Sequence, residues 1–253
     1  MIKYRWFFFR FCEFFCFSNS KPLTTKCDFV RKVSCIKGEC ESHNAKSYNT
    51  IRKDLLLDDD LMMSEMSQST RNLVRRGIDN KRLNIDYSTS YTKTLLFNDF
   101  LTFYNEYSND RAIGSRGMKR IHSLLEGDRL FISRVKIDGD ISVAYHVLAL
   151  GEEGALLLYS VSNFLWVKNK IDNQAMQQAN RLLHWQDFLL LKAHGFSFFD
   201  WGGVYLIDDN SKKSNIAKFK KGFGGDIYNV VNTVEPISVL GNFLMPILKH
   251  FNI

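Results

Sequence analysis

The sequence predicts an α+β fold of three layers, in which a mixed, mostly antiparallel sheet is flanked by helices. Three observations carry this prediction. Leu130–Ile137, Ile141–Leu150 and Ala155–Val161 are runs of β-branched and aliphatic residues separated by the turn sequences DGD and GEEG, the pattern of an antiparallel meander. Asn173–His194 then places Ala175, Met176, Ala179, Leu182, Leu183, Leu189, Leu190 and Ala193 at helical spacing and ends at Gly195, where a left-handed cap belongs. Phe196–Trp201 follows as a further strand, and the long helix before it lets it pair in parallel through a right-handed crossover.

Composition sets the outer limits. With 253 residues, 45% apolar and 24% charged, the chain is neither disordered nor fibrous and can bury one large core or two modest ones. A formal charge of +7 favours anionic partners such as phosphates, nucleic acid or an anionic membrane surface, and also serves solubility.

Taken in order, the chain begins with an aromatic run, FFFRFCEFFCF, from Phe7 to Phe17. It falls short of the roughly 20 apolar residues that span a bilayer. Arg10 and Glu13 interrupt it, and no small-x-small cleavage site follows, so it reads as aromatic strand rather than as a membrane span or secretory leader. All five cysteines, Cys12, Cys16, Cys27, Cys35 and Cys40, lie here. An odd number confined to one end argues against a disulfide framework, so reduced thiols in a cytoplasmic protein are expected. Cys35, Cys40 and His43 are a candidate zinc set, but their spacing departs from paired knuckles; small buried hydrophobes is the plainer reading, and no metal is expected.

The acidic triplet Asp58–Asp60 stands where a helix N-terminus favours carboxylates, ahead of LMMSEMSQSTRNLVRRGIDNKR. Leu61, Met62, Met66, Leu73 and Ile78 supply its apolar stripe; Arg71, Arg75, Arg76, Lys81 and Arg82 crowd its last turns as either a solvated basic end or a phosphate site. Leu83–Tyr87 is a short strand. Leu95–Tyr107 and Ser115–Leu125 are amphipathic helices, with Leu96, Phe100, Phe103 and Tyr107 assigned to the core of the first. His146, alone in the middle strand of the meander, reads as a satisfied core residue, and His184, Trp185 and Asp187 are assigned to the interior of the long helix.

The last third carries the most specific residues. FDWGG at 199–203 and KFKKGFGG at 218–225, with STRNLVRRGI at 69–78 and NRLLHWQDFLLLKAHG at 180–195, stand in this order and at these distances, and a final strand spans Ile227–Val234. The set resembles the Fem-like (FemAB-type) aminoacyl- and acyltransferase branch of the GNAT acyltransferase superfamily, over roughly residues 48–235. The resemblance implies a GNAT-like domain from 58 to 253, preceded by a short N-terminal subdomain, 1–57, that is part of a reduced first GNAT-like unit. It implies transfer of an acyl or aminoacyl group to an amine on a small or cell-envelope precursor, of glycan or peptidoglycan type, with no bound cofactor. The donor is then aminoacyl-tRNA or acyl-CoA as co-substrate.

By position in the motif, Phe219 packs against the donor and Lys220 stands near the developing oxyanion, with Lys221 in reserve. Trp201, Gly222, Arg71 and Arg75 complete the substrate-binding set, and Asp200 either orients the amine or holds the Gly202–Gly203 turn. Spacing places Ile216, Phe219 and Phe223 on the buried face of this segment. The acceptor is expected to be small or lipid- or nucleotide-linked, tRNA is a partner if it is the donor, and contact with a membrane surface is peripheral, with no transmembrane segment. One departure bears on the donor. CoA-dependent members carry a glycine-containing pyrophosphate loop before the long helix, whereas Ser162–Asn173 has no glycine, which favours aminoacyl-tRNA or another donor. The alternative is a catalytically silent module that binds an anionic glycan precursor or RNA; a filled strand splay beside Lys220 would favour it.

Overall fold

A computed structural model describes residues 1–6, 9–15, 27–37, 45–88, 92–107, 113–163, 173–209 and 211–250. Its strands are β1 (Ile2–Trp6), β2 (Phe9–Phe15), β3 (Phe29–Ile36), β4 (Lys46–Asp54), β5 (Leu83–Tyr87), β6 (Leu130–Ile137), β7 (Ile141–Leu150), β8 (Gly154–Ser162), β9 (Phe198–Gly203) and β10 (Asp226–Pro236). Its helices are α1 (Asp59–Ser64), α2 (Gln68–Asp79), α3 (Lys93–Tyr107), α4 (Ser115–Glu126), α5 (Asn173–Ala193), α6 (Lys212–Lys221) and α7 (Val239–His250). Among the described residues, ten strands form one sheet in the order β1-β2-β3-β10-β4-β9-β8-β7-β6-β5. Among the described residues only the β2–β3 and β8–β9 pairs are parallel.

The predicted three-layer α+β architecture is what forms. Alternation along the meander explains why. Ile132, Tyr145 and Val147 point to one face and pack with Leu96, Phe97 and Phe100 of α3 and Ile121 and Leu124 of α4. Phe131 and Leu148 point to the other face, where Leu182, Trp185 and Phe188 of α5 cover them. Each such buried side chain contributes about 1.5–3 kcal/mol, and a one-residue slip of register would turn each set onto the helix layer shaped for the other. Gly195 takes φ +83° as the cap of α5, and its N–H bonds to the Lys192 carbonyl at 2.9 Å.

Three features differ from the sequence reading. The predicted long basic helix is two helices: Asp58 caps α1 and Ser67 caps α2, its hydroxyl accepting from the Thr70 N–H at 3.3 Å. The break is stapled by the Ser67 N–H bonding to the Gly222 carbonyl at 2.9 Å, a contact between residues 155 positions apart that no local pattern encodes. Second, β3 and β4 were not assigned as strands; both pair along their backbones with β10, which lies between them.

Third, Cys12 and Cys27 form a disulfide, with Cα atoms 6.1 Å apart, which corrects the expectation that all the thiols are reduced. Parallel pairing of β2 with β3 brings them together, and the Asp28 N–H bonds to the Arg10 carbonyl at 2.9 Å. Cys35 is buried and lies outside this bridge, while Cys16, Cys40 and His43 lie outside the described residues. Among the described residues no helix is long and apolar enough to cross a membrane.

Candidate active site

The parallel pair β8–β9 is joined over a short register, from Gly154↔Phe198 to Leu156↔Asp200. Beyond it the two strands run on to Ser162 and Gly203 without pairing to one another, and the sheet splays. A cavity of about 690 Å³ opens in the splay. β8 lines it with Leu157 and Ser160, β9 with Trp201, α5 with Asn180, Arg181 and His184, and α6 with Ile216, Phe219 and Lys220.

α6 begins at Ser211, whose hydroxyl caps the Ser214 N–H, and stops at Gly222. Its buried residues are Ser214 and Ala217, three apart, and the next position on that stripe is Lys220. This corrects the predicted face: Ile216 is 47% exposed and borders the cavity, while Lys220 turns inward. The Lys220 Nζ donates to the carbonyls of Trp201 and Gly203, both at 2.8 Å. An ammonium has three donors, so one remains for a ligand in the cavity. Burial lowers the Lys220 pKa from 10.5 to about 8, against the opposing pull of the Asp200 carboxylate.

Asp200 and Trp201 are consecutive on a strand and therefore face opposite sides of the sheet. The Asp200 carboxylate is fully buried and saturated. It accepts from Ser34 Oγ at 2.7 Å, Arg52 Nε at 3.1 Å, the Gly202 N–H at 2.8 Å and the Thr50 hydroxyl. These bonds tie β3, β4 and the Gly202 turn together, and the side chain does not line the cavity.

On the Trp201 side the position is reversed. Among the described residues, Trp201 Nε1, Asn180 Oδ1, Arg181 Nε and both ring nitrogens of His184 have no hydrogen-bond partner, and all four residues line the cavity. Buried polar atoms are normally paired, so such a set facing a cavity makes it a candidate binding site. The Arg181 guanidinium lies over the Phe219 ring at 5.2 Å, and burial pushes its pKa down.

Sequence reading missed the histidines. His146 on β7 and His184 on α5 stack with ring centroids 3.9 Å apart, and His146 Nδ1 lies 2.6 Å from the Asp187 carboxylate. Their donor atoms fall within 4.8 Å of one another, the spacing of a metal cluster. The stacked rings, only 27° from parallel, keep their in-plane lone pairs from converging, which suits chelation poorly. His184 is held neutral: its pKa lies well below the ordinary value because of burial first, then the charges of His146, Lys220 and Arg181. No sequence signal joins residues 146 and 184, although the one-turn proximity of His184 and Asp187 was visible.

The remaining predicted residues fall away from the cavity. Arg71 is half-buried and Arg75 exposed on α2, and neither lines it. Lys221 is exposed, and Gly222 is the C-cap of α6, where an added Cβ would sit 2.7 Å from Thr70 Oγ1. The following Gly225 has φ +93°, and a Cβ there would sit 2.4 Å from the Arg52 carbonyl oxygen. The glycines of KFKKGFGG therefore let the loop press against α2 and β4. Of the glycine-free stretch before α5, residues 164–172 lie outside the described residues.

No protein-family model and no curated protein matches the chain. Solved structures do. FemX superposes with a TM-score of 0.57 at 13% identity, covering 81% of this chain and 72% of that one. The fold is Fem-like. L-PGS from Bacillus licheniformis shares this Fem-like fold, with a TM-score of 0.50 at 10% identity over 85% of this chain and 71% of that one. So does the C-terminal domain of a protein assigned as lysylphosphatidylglycerol synthetase from Agrobacterium fabrum, with a TM-score of 0.54 at 12% identity over 85% and 70%. At these identities the likeness is one of fold, and the site chemistry rests on the residues of this chain.

Proposed function

We propose that this protein is an N-acyltransferase that moves an activated acyl or aminoacyl group onto an amine of a small or cell-envelope precursor. The observation that carries the reading is the open splay, with the Lys220 ammonium at its wall and unpaired polar atoms around it. A neutral amine attacks the acyl carbonyl, and the charge that develops on oxygen is met by the free N–H of Lys220, already positioned by two backbone carbonyls. The Phe219 ring packs beside the acyl group. Asp200, fully engaged behind β9, orients Lys220 through the Trp201 and Gly203 backbone rather than touching substrate.

The donor is aminoacyl-tRNA or acyl-CoA, and the lack of glycine between Ser162 and Asn173 favours the tRNA ester. Arg181, Lys212 and Lys220 give the cavity positive charge, which suits a phosphate-bearing donor or acceptor. Arg71 and Arg75 on α2 then serve as outer contacts to the same polyanion. The test incubates the protein with charged tRNA and, separately, with acetyl-CoA in the presence of amine acceptors, and measures which donor is consumed. Consumption of neither, or unchanged transfer by Lys220→Met, overturns the reading.

A further inference from the structure

We infer that His184 is the group that receives the attacking amine and takes its proton, an assignment that rests on the acyltransferase reading for its chemistry but not for its binding test. His184 is 1% exposed and lines the cavity, yet among the described residues neither of its ring nitrogens has a hydrogen-bond partner. A neutral imidazole carries one donor and one acceptor, and leaving both unmade in a buried site incurs the desolvation penalty of each. The ring is fixed against this cost by stacking on His146 at 3.9 Å and by edge or tilted contacts with Trp201 at 4.5 Å, Phe223 at 5.2 Å and Phe219 at 5.6 Å. The Asp187 carboxylate holds His146 as the platform under it.

Cations surround this ring. Lys220 from α6, Arg181 on its own helix and the His146–Asp187 pair are the charged and titratable groups facing it. A further resting positive charge is disfavoured there, so the pocket favours an amine in its neutral form, which is the nucleophilic form, and offers it an acceptor lone pair. When the amine lone pair bonds to the acyl carbon, the carbonyl π pair moves to oxygen beside Lys220 and the nitrogen becomes positive and strongly acidic. His184 accepts that proton. Collapse re-forms the carbonyl and breaks the bond to the donor's ester oxygen or thioester sulfur, which leaves with the electron pair and takes the proton from the imidazolium. The balance is amine plus acyl ester or thioester giving amide plus alcohol or thiol, with His184 returned to neutral.

The experiment has two arms. In the first, 15N resonances of the histidine rings are followed at pH 8 while glycinamide, a weakly basic amine, is titrated in; propionamide, the same shape without the amine, is the control. The His184 signal is identified by its loss in His184→Phe, which keeps the ring stack. Glycinamide is expected to shift that signal and propionamide to leave it in place. No shift at saturating glycinamide overturns the inference, even if transfer activity is found. In the second arm, turnover from whichever donor the wild type consumes is expected to fall by about 10²–10⁴-fold in His184→Phe, with KM for the donor unchanged. A correctly folded His184→Phe that transfers at the wild-type rate also overturns the inference and leaves the acyltransferase reading intact. If the wild type consumes neither donor, that reading fails by itself, and the titration alone decides whether His184 receives an amine.

Discussion

The two faces of β9 carry opposite kinds of polar chemistry. Behind the strand, Asp200 is saturated by donors from Ser34, Thr50, Arg52 and Gly202. In front, Trp201, His184, Asn180 and Arg181 hold polar atoms without partners around a cavity. A buried group whose bonding capacity is used up by the protein holds the fold together, whereas one left unpaired beside a cavity is a candidate for binding. Two adjacent residues of one motif thus divide between architecture and chemistry.

Breaking the saturated side has the largest expected effect. Asp200→Ala strands the buried Arg52 guanidinium and is expected to cost about 3–5 kcal/mol in urea unfolding; a loss below about 1 kcal/mol would mean that the network is not what fixes β9. On the open side, Lys220→Met is expected to lower turnover about 10²–10³-fold while the protein stays folded. Circular dichroism beside single-turnover rates separates the two faces: Asp200→Ala should lower the melting temperature, Lys220→Met should not.

Titration sharpens the contrast further. With a Lys220 pKa of about 8, the rate is expected to fall as pH rises through that value, because the ammonium is lost. Stability should move the other way: between about 8 and 10.5 the unfolded chain holds a proton that the folded lysine has released, so the folded state gains with rising pH. Lys220→Met removes both trends. At the acid end, the depressed pKa of His184 means that its contribution to stability is complete above 6.5 and is lost as pH falls through its folded value. Acid unfolding of His184→Phe should begin at lower pH than in the wild type. The smallest effect belongs to Arg75→Ala, exposed on α2 and outside the cavity, which should change stability by less than about 0.5 kcal/mol. A marked loss of activity there, relieved by changing the donor, would extend the site onto α2.

Much of this was legible along the chain, and the limits are instructive. The strand β5, the meander β6–β8, α3, α4 and α5 with its Gly195 cap follow from hydrophobic period and turn residues, which are local signals. β3, β4 and the Cys12–Cys27 bridge do not, because their partners come from β10 and a parallel neighbour far along the chain. In the site, Lys220, Phe219 and Trp201 line the cavity, while Arg71, Arg75 and Lys221 lie elsewhere.

The stretch from Phe199 to Asp226, by its residues alone, determined a strand, a glycine turn, a lysine-bearing helix and the Fem-like resemblance, because these are properties of neighbours in sequence. Which way each side chain faces was decided only in three dimensions. Asp200 became structural because Arg52, Ser34 and Thr50 converge on it from β3 and β4. His184 became a candidate for chemistry because β7 supplies His146 beneath it and the splay of β8 from β9 leaves space above it. Satisfaction of a polar group is a property of its surroundings, and surroundings assembled from distant segments are written in the fold rather than in the local sequence.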